Sequence, residues 1–173
     1  MTRLFFAAAL LLTSVFATAQ VPNMEPPAEL KKFEWMLGDW SGNVKMSMEG
    51  MELEGVMTYS MSWYGQFMKG SWVWDGMCMK MTDEGYVGWD AAKGKYSSYT
   101  FTNMSPVPRI EWGEIKGDSV IWVSEPWVTS PEAPPTISRA TLTKRPGNQM
   151  KFVLEFKEGD QFTKVGEAVF KQK

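Results

Sequence analysis

The chain has 173 residues, of which 44% are hydrophobic and 14% aromatic, and it contains fourteen Met, nine Trp, one Cys and no His. This length suits one globular domain, and a net charge of −2 lacks the basic excess that nucleic-acid binding requires. The absence of His excludes Ser-His-Asp triads, Cys-His pairs, imidazole zinc sites and His-ligated haem, because each needs a ring nitrogen. A single Cys also excludes a disulfide within the chain.

The N-terminal segment has the pattern of an export signal. Arg3 precedes an apolar run that extends from Leu4 to Phe16, and the small-x-small sequence Ala17-Thr18-Ala19 follows it. The run is shorter than the roughly 20 residues that span a bilayer, and no later run approaches that length. We therefore predict a signal peptide over residues 1–19, cleavage near Ala19, and an exported periplasmic or secreted protein without a transmembrane segment.

A short helix is predicted where the folded domain begins. Residues 20–27 contain three prolines and are interpreted as an extended leader, so the domain is predicted to cover residues 28–173. In Ala28–Leu37 the apolar residues Leu30, Phe33 and Leu37 have helical spacing, and the following glycine is positioned to end the helix.

Beyond that glycine, hydrophobic residues recur with a period of two, as in half-buried strands. Met57, Tyr59, Met61 and Trp63, for example, share one face. The predicted strands are Ser41–Met48, Leu53–Trp63, Gln66–Asp75, Met77–Met81, Gly85–Asp90, Tyr96–Asn103, Arg109–Ile115, Ser119–Ser124, Thr136–Lys144, Met150–Lys157 and Phe162–Lys171. Turn residues separate nearly all of them, which favours an all-β, antiparallel up-and-down barrel of about ten strands. The proline-rich segment 125–135 is predicted to be a loop across one mouth of the barrel.

The segment from Glu29-Leu30-Lys31-Lys32-Phe33 to Leu37-Gly38-Asp39-Trp40 places a short helix before a Gly-x-Trp strand. This arrangement resembles the lipocalin-like (calycin) superfamily. With Gly76-Met77-Cys78-Met79 and Gly88-Trp89-Asp90 it is similar, more closely, to an uncharacterised family of secreted bacterial proteins, a domain of unknown function. The resemblance extends over residues 28–171.

The resemblance implies that Gly38 and Trp40 close the narrow end of the barrel beneath the helix. It also implies an arginine packed on that tryptophan, a position that Arg139 could fill here. More distantly, the chain resembles nitrobindin-like haem barrels, whose proximal ligand is a His. Because this chain has no His, any haem would need Tyr, Met or Cys as its axial ligand, and no cofactor is expected.

Large aromatic and Met side chains on the strands suggest a cavity that binds a small apolar or amphipathic ligand. The predicted ligand-binding residues are Met57, Tyr59, Met61, Trp72, Trp74, Met79, Tyr99, Trp112, Trp122 and Arg139. The alternative is an interior filled by the same side chains.

Two other functions remain open from the sequence. Met77, Met79 and Met81 share one strand face and could bind Cu(I) through their thioethers, although core packing or pocket lining is favoured. An enzyme could use carboxylates and a phenol, such as Glu111, Glu114 and Tyr99. Arg109 and Glu111 share a strand face, so an ion pair at a barrel mouth is possible. Charged residues on strands are usually solvated, and that interpretation is preferred for the carboxylates and for Arg109.

Overall fold

A computed structural model of the chain describes residues 25–48, 50–76 and 80–173. It contains one closed antiparallel barrel of ten strands, in which each strand pairs with its neighbour in sequence and the first pairs with the last. The strands are β1 (Gly38–Met48), β2 (Met51–Tyr64), β3 (Phe67–Gly76), β4 (Lys80–Asp90), β5 (Lys95–Thr102), β6 (Arg109–Lys116), β7 (Ser119–Ser124), β8 (Ser138–Arg145), β9 (Gln149–Glu158) and β10 (Gln161–Gln172). The all-β barrel predicted from the sequence is confirmed.

The barrel has two distinct ends. The helix end is the one at which β1 begins and β10 finishes, with the N-terminal helical segment beside it. The loop end is the opposite one, where β7 finishes and β8 begins. Segment 125–137 connects these two strands and is held by a short antiparallel bridge between Trp127 and Thr136. The predicted loop is therefore found at one mouth of the barrel.

The N-terminal helical segment is shorter and less regular than the single helix predicted over Ala28–Leu37. It consists of an α-helix, Ala28–Lys31, and a separate 3-10 helix, Glu34–Met36. Phe33 lies between them with φ −96° and ψ 3°, outside the α-helical range. A helix of this length is marginal by itself, so packing of its apolar side chains against the barrel decides its shape.

Strand β4 replaces two predicted strands, Met77–Met81 and Gly85–Asp90. Residues 77–79 lie outside the described part. From Lys80 to Val87 the chain pairs with β3, and from Asp83 to Asp90 it pairs with β5. Gly85, taken as a strand boundary, lies inside β4, where an added Cβ would stand 2.7 Å from the carbonyl oxygen of Tyr99. The predicted break between the two strands is wrong, because Asp83 and Glu84 within it pair with both β3 and β5.

The helix end of the barrel is filled with aromatic side chains. Phe33 packs edge-on against Tyr96, with ring centroids 4.6 Å apart, and lies 6.0 Å from the ring of Trp122. Trp40 is 3% exposed and its indole nitrogen donates to the carbonyl oxygen of Met36 at 3.0 Å. Trp40 thus ties the 3-10 helix to β1 and closes this end, as the resemblance implied. In the described part of the chain, the helices are too short to cross a membrane.

Candidate functional site

The barrel encloses a cavity of about 130 Å³ between the aromatic packing at the helix end and the loop end. The interior is therefore neither completely filled nor widely hollow. Side chains from the helical segment and from most of the strands contribute to its wall. The lining residues are Phe33, Met36, Met46, Met57, Tyr59, Met61, Met68, Trp72, Met81, Asp83, Val87, Ser98, Thr100, Arg109, Glu111, Trp122, Ala140, Leu142, Phe152 and Leu154.

Methionine and aromatic side chains form most of this wall. Tyr59 stacks on Trp72 with ring centroids 3.8 Å apart, and its hydroxyl donates to the sulfur of Met61 at 2.9 Å. Complete burial raises the pKa of Tyr59 well above its ordinary value, so the phenol is neutral at physiological pH. Six methionines contribute flexible, polarisable side chains to the wall, which suits contact with ligands of varied shape.

The polar part of the wall comes from three consecutive strands, β4, β5 and β6. Ser98 and Thr100 on β5 are buried, and their hydroxyl oxygens lie 3.3 Å apart. Ser98 pairs across the sheet with Glu111, and Thr100 pairs with Arg109. Asp83 faces the interior from β4. The cavity therefore has an apolar wall and a polar wall.

Arg109 lies between two carboxylates at the polar wall. Its Nη2 is 3.5 Å from Oδ2 of Asp83, and its Nε is 3.3 Å from Oε1 of Glu111. The side chains are 19% exposed for Arg109, 15% for Asp83 and 7% for Glu111. The guanidinium also lies 5.0 Å from the ring centroid of Trp127, which covers it from the loop end. The three charged groups are thus largely removed from water.

The two carboxylates control the ionisation of the guanidinium. Burial alone would lower the pKa of Arg109, but the charges and hydrogen bonds of Glu111 and Asp83 outweigh it, and the net effect is a raised pKa. Arg109 is therefore always cationic. The solvated state preferred from the sequence for Arg109 and Glu111 is wrong, because each has an oppositely charged partner that permits burial.

Five of the predicted ligand-binding residues line the cavity, namely Met57, Tyr59, Met61, Trp72 and Trp122. Trp74 is also buried, at 2% exposure, but it packs over Gly55 and Gly76 and does not line the cavity. Met79 lies outside the described residues. The structure thus brings half of the predicted set together, while ligand binding by any of them stays a prediction.

Three predicted residues lie on the outer face of the barrel. Tyr99 is 45% exposed, and Trp112 lies beneath the ammonium of Lys93, which is 3.7 Å from its ring centroid. Arg139 donates two hydrogen bonds to Glu155, at 2.6 and 2.7 Å, and so does not pack on the tryptophan of the Gly-x-Trp motif. Their predicted inward orientation is wrong, because strand alternation turns their small neighbours inward instead.

The small inward residues explain this error. Ser98, Thr100, Gly113 and Ala140 occupy interior positions beside the outward-facing large ones. Gly113 illustrates the reason, because an added Cβ would stand 2.4 Å from the ring of Trp122 on the neighbouring strand. A barrel interior alternates large and small side chains, so the assumption that every large residue points inward is wrong.

The structure places two of the residues suggested for other functions, Met81 and Glu111, at the cavity. Of Met77, Met79 and Met81, only the last lies in the described part, where it lines the cavity, and Cu(I) binding stays a prediction. Of the suggested catalytic trio, Glu111 lines the cavity, whereas Glu114 pairs with Lys116 at the surface and Tyr99 faces outward. The described residues contain no group of three or more Cys, Asp or Glu placed to hold a metal ion.

Sequence reasoning missed most of the polar wall, above all Asp83. Asp83 lies two residues after Met81 and two residues before Gly85, so no alternation of apolar residues marks this face of the strand. The Arg109-x-Glu111 spacing did place these two side chains on one face. The spacing could not reveal the third charged group, Asp83, because it lies on β4, which is not adjacent to β6.

The closed ten-stranded antiparallel barrel with a helix at one end fits a lipocalin-like, calycin-type fold. The chain is similar in structure to Rv2717c from M. tuberculosis, with a TM-score of 0.67 and 14% sequence identity over 86% of this chain and 99% of that one. At this identity the similarity concerns the fold alone. No protein family model matches the chain, and no curated protein matches it either.

Proposed function

We propose that this protein binds a small apolar or amphipathic molecule, about the size of one six-membered ring, in the cavity of its barrel. The observation that carries the proposal is a cavity of about 130 Å³ with a continuous apolar wall and a polar patch on one side. An engineered protein cavity of about 150 Å³ binds benzene. Typical sites for larger ligands measure roughly 300–1,000 Å³, so the size argues against haem or a long fatty acid.

The expected affinity is modest. Burial of one aromatic ring removes roughly 150 Å² of apolar surface from water, which is worth about 4 kcal/mol at about 25 cal/mol per Å². This corresponds to a dissociation constant of about 1 mM for a ligand that uses only apolar contacts. Tighter binding therefore depends on the polar wall.

Calorimetric titration with benzyl alcohol and, separately, with oleate tests the proposal. We expect benzyl alcohol to bind and oleate not to bind. Ala140→Leu places extra methyl groups in the cavity and should abolish the binding of benzyl alcohol. Thr141→Leu is the matched control, because Thr141 is the next residue on β8 and does not line the cavity. Failure of benzyl alcohol to bind the unmodified protein, or equal binding by Ala140→Leu, would contradict the proposal.

We also propose that the protein is exported and acts in the periplasm or outside the cell. The support is the sequence pattern of residues 1–19, which lie outside the described part of the structure. The motif resemblance to secreted bacterial barrels of unknown function supports the same location. Small molecules taken up by such a barrel would then come from the cell's surroundings.

A further inference from the structure

The charged groups of the cavity are unequal in number. Among the described residues that line the cavity, Arg109 carries the one positive charge, whereas Asp83 and Glu111 each carry a formal negative charge. Both carboxylates already contact the guanidinium. The polar wall therefore has an excess of one negative charge, and an anionic ligand would increase that excess in a site with little water to screen it.

One acceptor at this wall has no partner. Oδ2 of Asp83 lies 3.5 Å from Arg109, but Oδ1 is buried and accepts no hydrogen bond from the residues that the structure describes. An unpaired buried oxygen on a carboxylate is unfavourable, and a donor from a ligand would satisfy it. Nε of Arg109 is also buried without a hydrogen-bond partner among the described residues, but it lies 3.3 Å from Oε1 of Glu111. An anion that approached Nε would therefore lie against the negative charge of Glu111.

The apolar wall also favours a positive charge. Tyr59, Trp72 and Trp122 line the same cavity, and the faces of aromatic rings attract cations. A protonated amine could thus place its ammonium group at the carboxylates and its ring among the aromatic and Met side chains. A carboxylic acid of the same size would place its negative charge against the carboxylates and near the negative faces of the aromatic rings.

We propose that the cavity selects small amphipathic amines, with the ammonium group bound at Asp83 and Glu111 and the apolar part at the Met and aromatic wall. This inference rests on the proposed function, since it names the ligand class of the same cavity. Asp83 is assigned as the principal acceptor, because it combines a free buried oxygen with the weaker of the two contacts to Arg109.

The test compares three ligands with one ring and different head groups, namely benzylamine, benzyl alcohol and benzoate, in calorimetric titrations at pH 7. We expect benzylamine to bind at least about tenfold more tightly than benzyl alcohol, and benzoate to bind most weakly. Asp83→Asn should reduce the affinity for benzylamine to about that for benzyl alcohol, while the affinity for benzyl alcohol stays within about twofold.

The control variant is Glu84→Gln, which removes a carboxylate from the same strand but from a surface ion pair with Lys69. It should leave the order of the three ligands unchanged. Glu111→Gln provides a second variant if Asp83→Asn does not fold, as judged by circular dichroism, and it too should reduce the preference for the amine.

The outcomes distinguish this inference from the proposed function. If benzoate binds most tightly, or if benzylamine binds no better than benzyl alcohol, the amine preference is wrong although the cavity still binds ligands. If none of the three ligands binds, the proposed function itself is wrong. If both carboxylate variants fold and retain the full preference for benzylamine, the ammonium is not bound at Asp83 and Glu111.

Discussion

At the scale of single residues, burial determines what the polar side chains of the cavity can do. Tyr59 is 1% exposed and keeps its proton, and the sulfur of Met61 accepts its hydrogen bond. Arg109 and Glu111 tolerate burial because they are paired. An ion pair at the surface, such as Lys116 with Glu114, is well exposed and contributes little to stability.

Tyr59 makes the stability of the fold sensitive to alkaline pH. Burial raises the pKa of Tyr59 in the folded state above its ordinary value of 10.0, so the folded state holds the proton more tightly than the unfolded state. The contribution of the protonated Tyr59 to the free energy of unfolding is complete below pH 10. It is lost as the pH rises above 10, by up to about 1.4 kcal/mol per pH unit. Tyr59→Phe should therefore reduce the alkaline decline in the free energy of unfolding.

Urea unfolding between pH 8 and 11 provides the measurement. At pH 8 the Tyr59→Phe variant should lose only about 0.5–1.5 kcal/mol, the worth of one hydrogen bond. Met61→Leu removes the acceptor of that bond but keeps the phenol buried, so its alkaline decline should match that of the unmodified protein. An unchanged decline in Tyr59→Phe would show that Tyr59 does not cause it.

At the scale of strands and helices, the pairing of β6 with β7 sets the shape of one wall of the cavity. Gly113 pairs directly with Trp122, and the absence of a side chain on the glycine leaves room for the indole ring. In the same way, Gly85 on β4 pairs with Thr100 on β5, and the absence of a side chain on Gly85 leaves room for the Thr100 hydroxyl. Small residues on one strand thus position large ones on the next.

Gly113→Ala should disturb this arrangement. The new Cβ would stand 2.4 Å from the Trp122 ring, which must then move toward the cavity. We expect a loss of about 1–3 kcal/mol in the free energy of unfolding and weaker binding of benzyl alcohol. Gly166→Ala is the control, because its nearest neighbour would be the Met46 side chain at an ordinary 3.4 Å.

Urea unfolding and calorimetric titration of both variants separate the two effects. If Gly113→Ala binds benzyl alcohol as well as the unmodified protein, the position of Trp122 does not define the cavity.

At the scale of the whole molecule, closure of the sheet gives every strand two partners. The pairing of β1 with β10 completes the ring, and Trp40, for instance, faces Tyr59 on one side and Gln172 on the other. No strand edge within the barrel is left to pair with another protein. Because the chain has one Cys and forms no internal disulfide, noncovalent interactions alone hold the ring closed.

The proposed export of the protein leads to a prediction about its N-terminus. Mass spectrometry of the protein recovered from its native host should show a chain that begins at Gln20. Ala19→Arg should retain residues 1–19, because the peptidase requires a small residue immediately before the cleaved bond. Thr18→Arg is the control and should still be cleaved, since the middle position of the motif is not restricted. Recovery of an uncleaved unmodified chain would contradict the proposal.

The fold class follows from local patterns in the sequence. Alternation of apolar and polar residues reports which residues belong to strands, and turn residues report where strands end, because both are local properties of the chain. These signals predicted a barrel of about ten strands with a short helix, and the Gly-x-Trp motif placed Trp40 at the closed end. They also placed Met57, Tyr59 and Met61 on the inward face of β2.

The candidate site, by contrast, depends on how the strands come together in three dimensions. Whether a large side chain points inward depends on the space left by the neighbouring strand, so Trp122 lies inside opposite Gly113 while Trp112 lies outside. Asp83 meets Arg109 only because β5 brings β4 and β6 to either side of it. A charge balance of this kind is a property of residues distant in sequence, and no local pattern in the chain contains it.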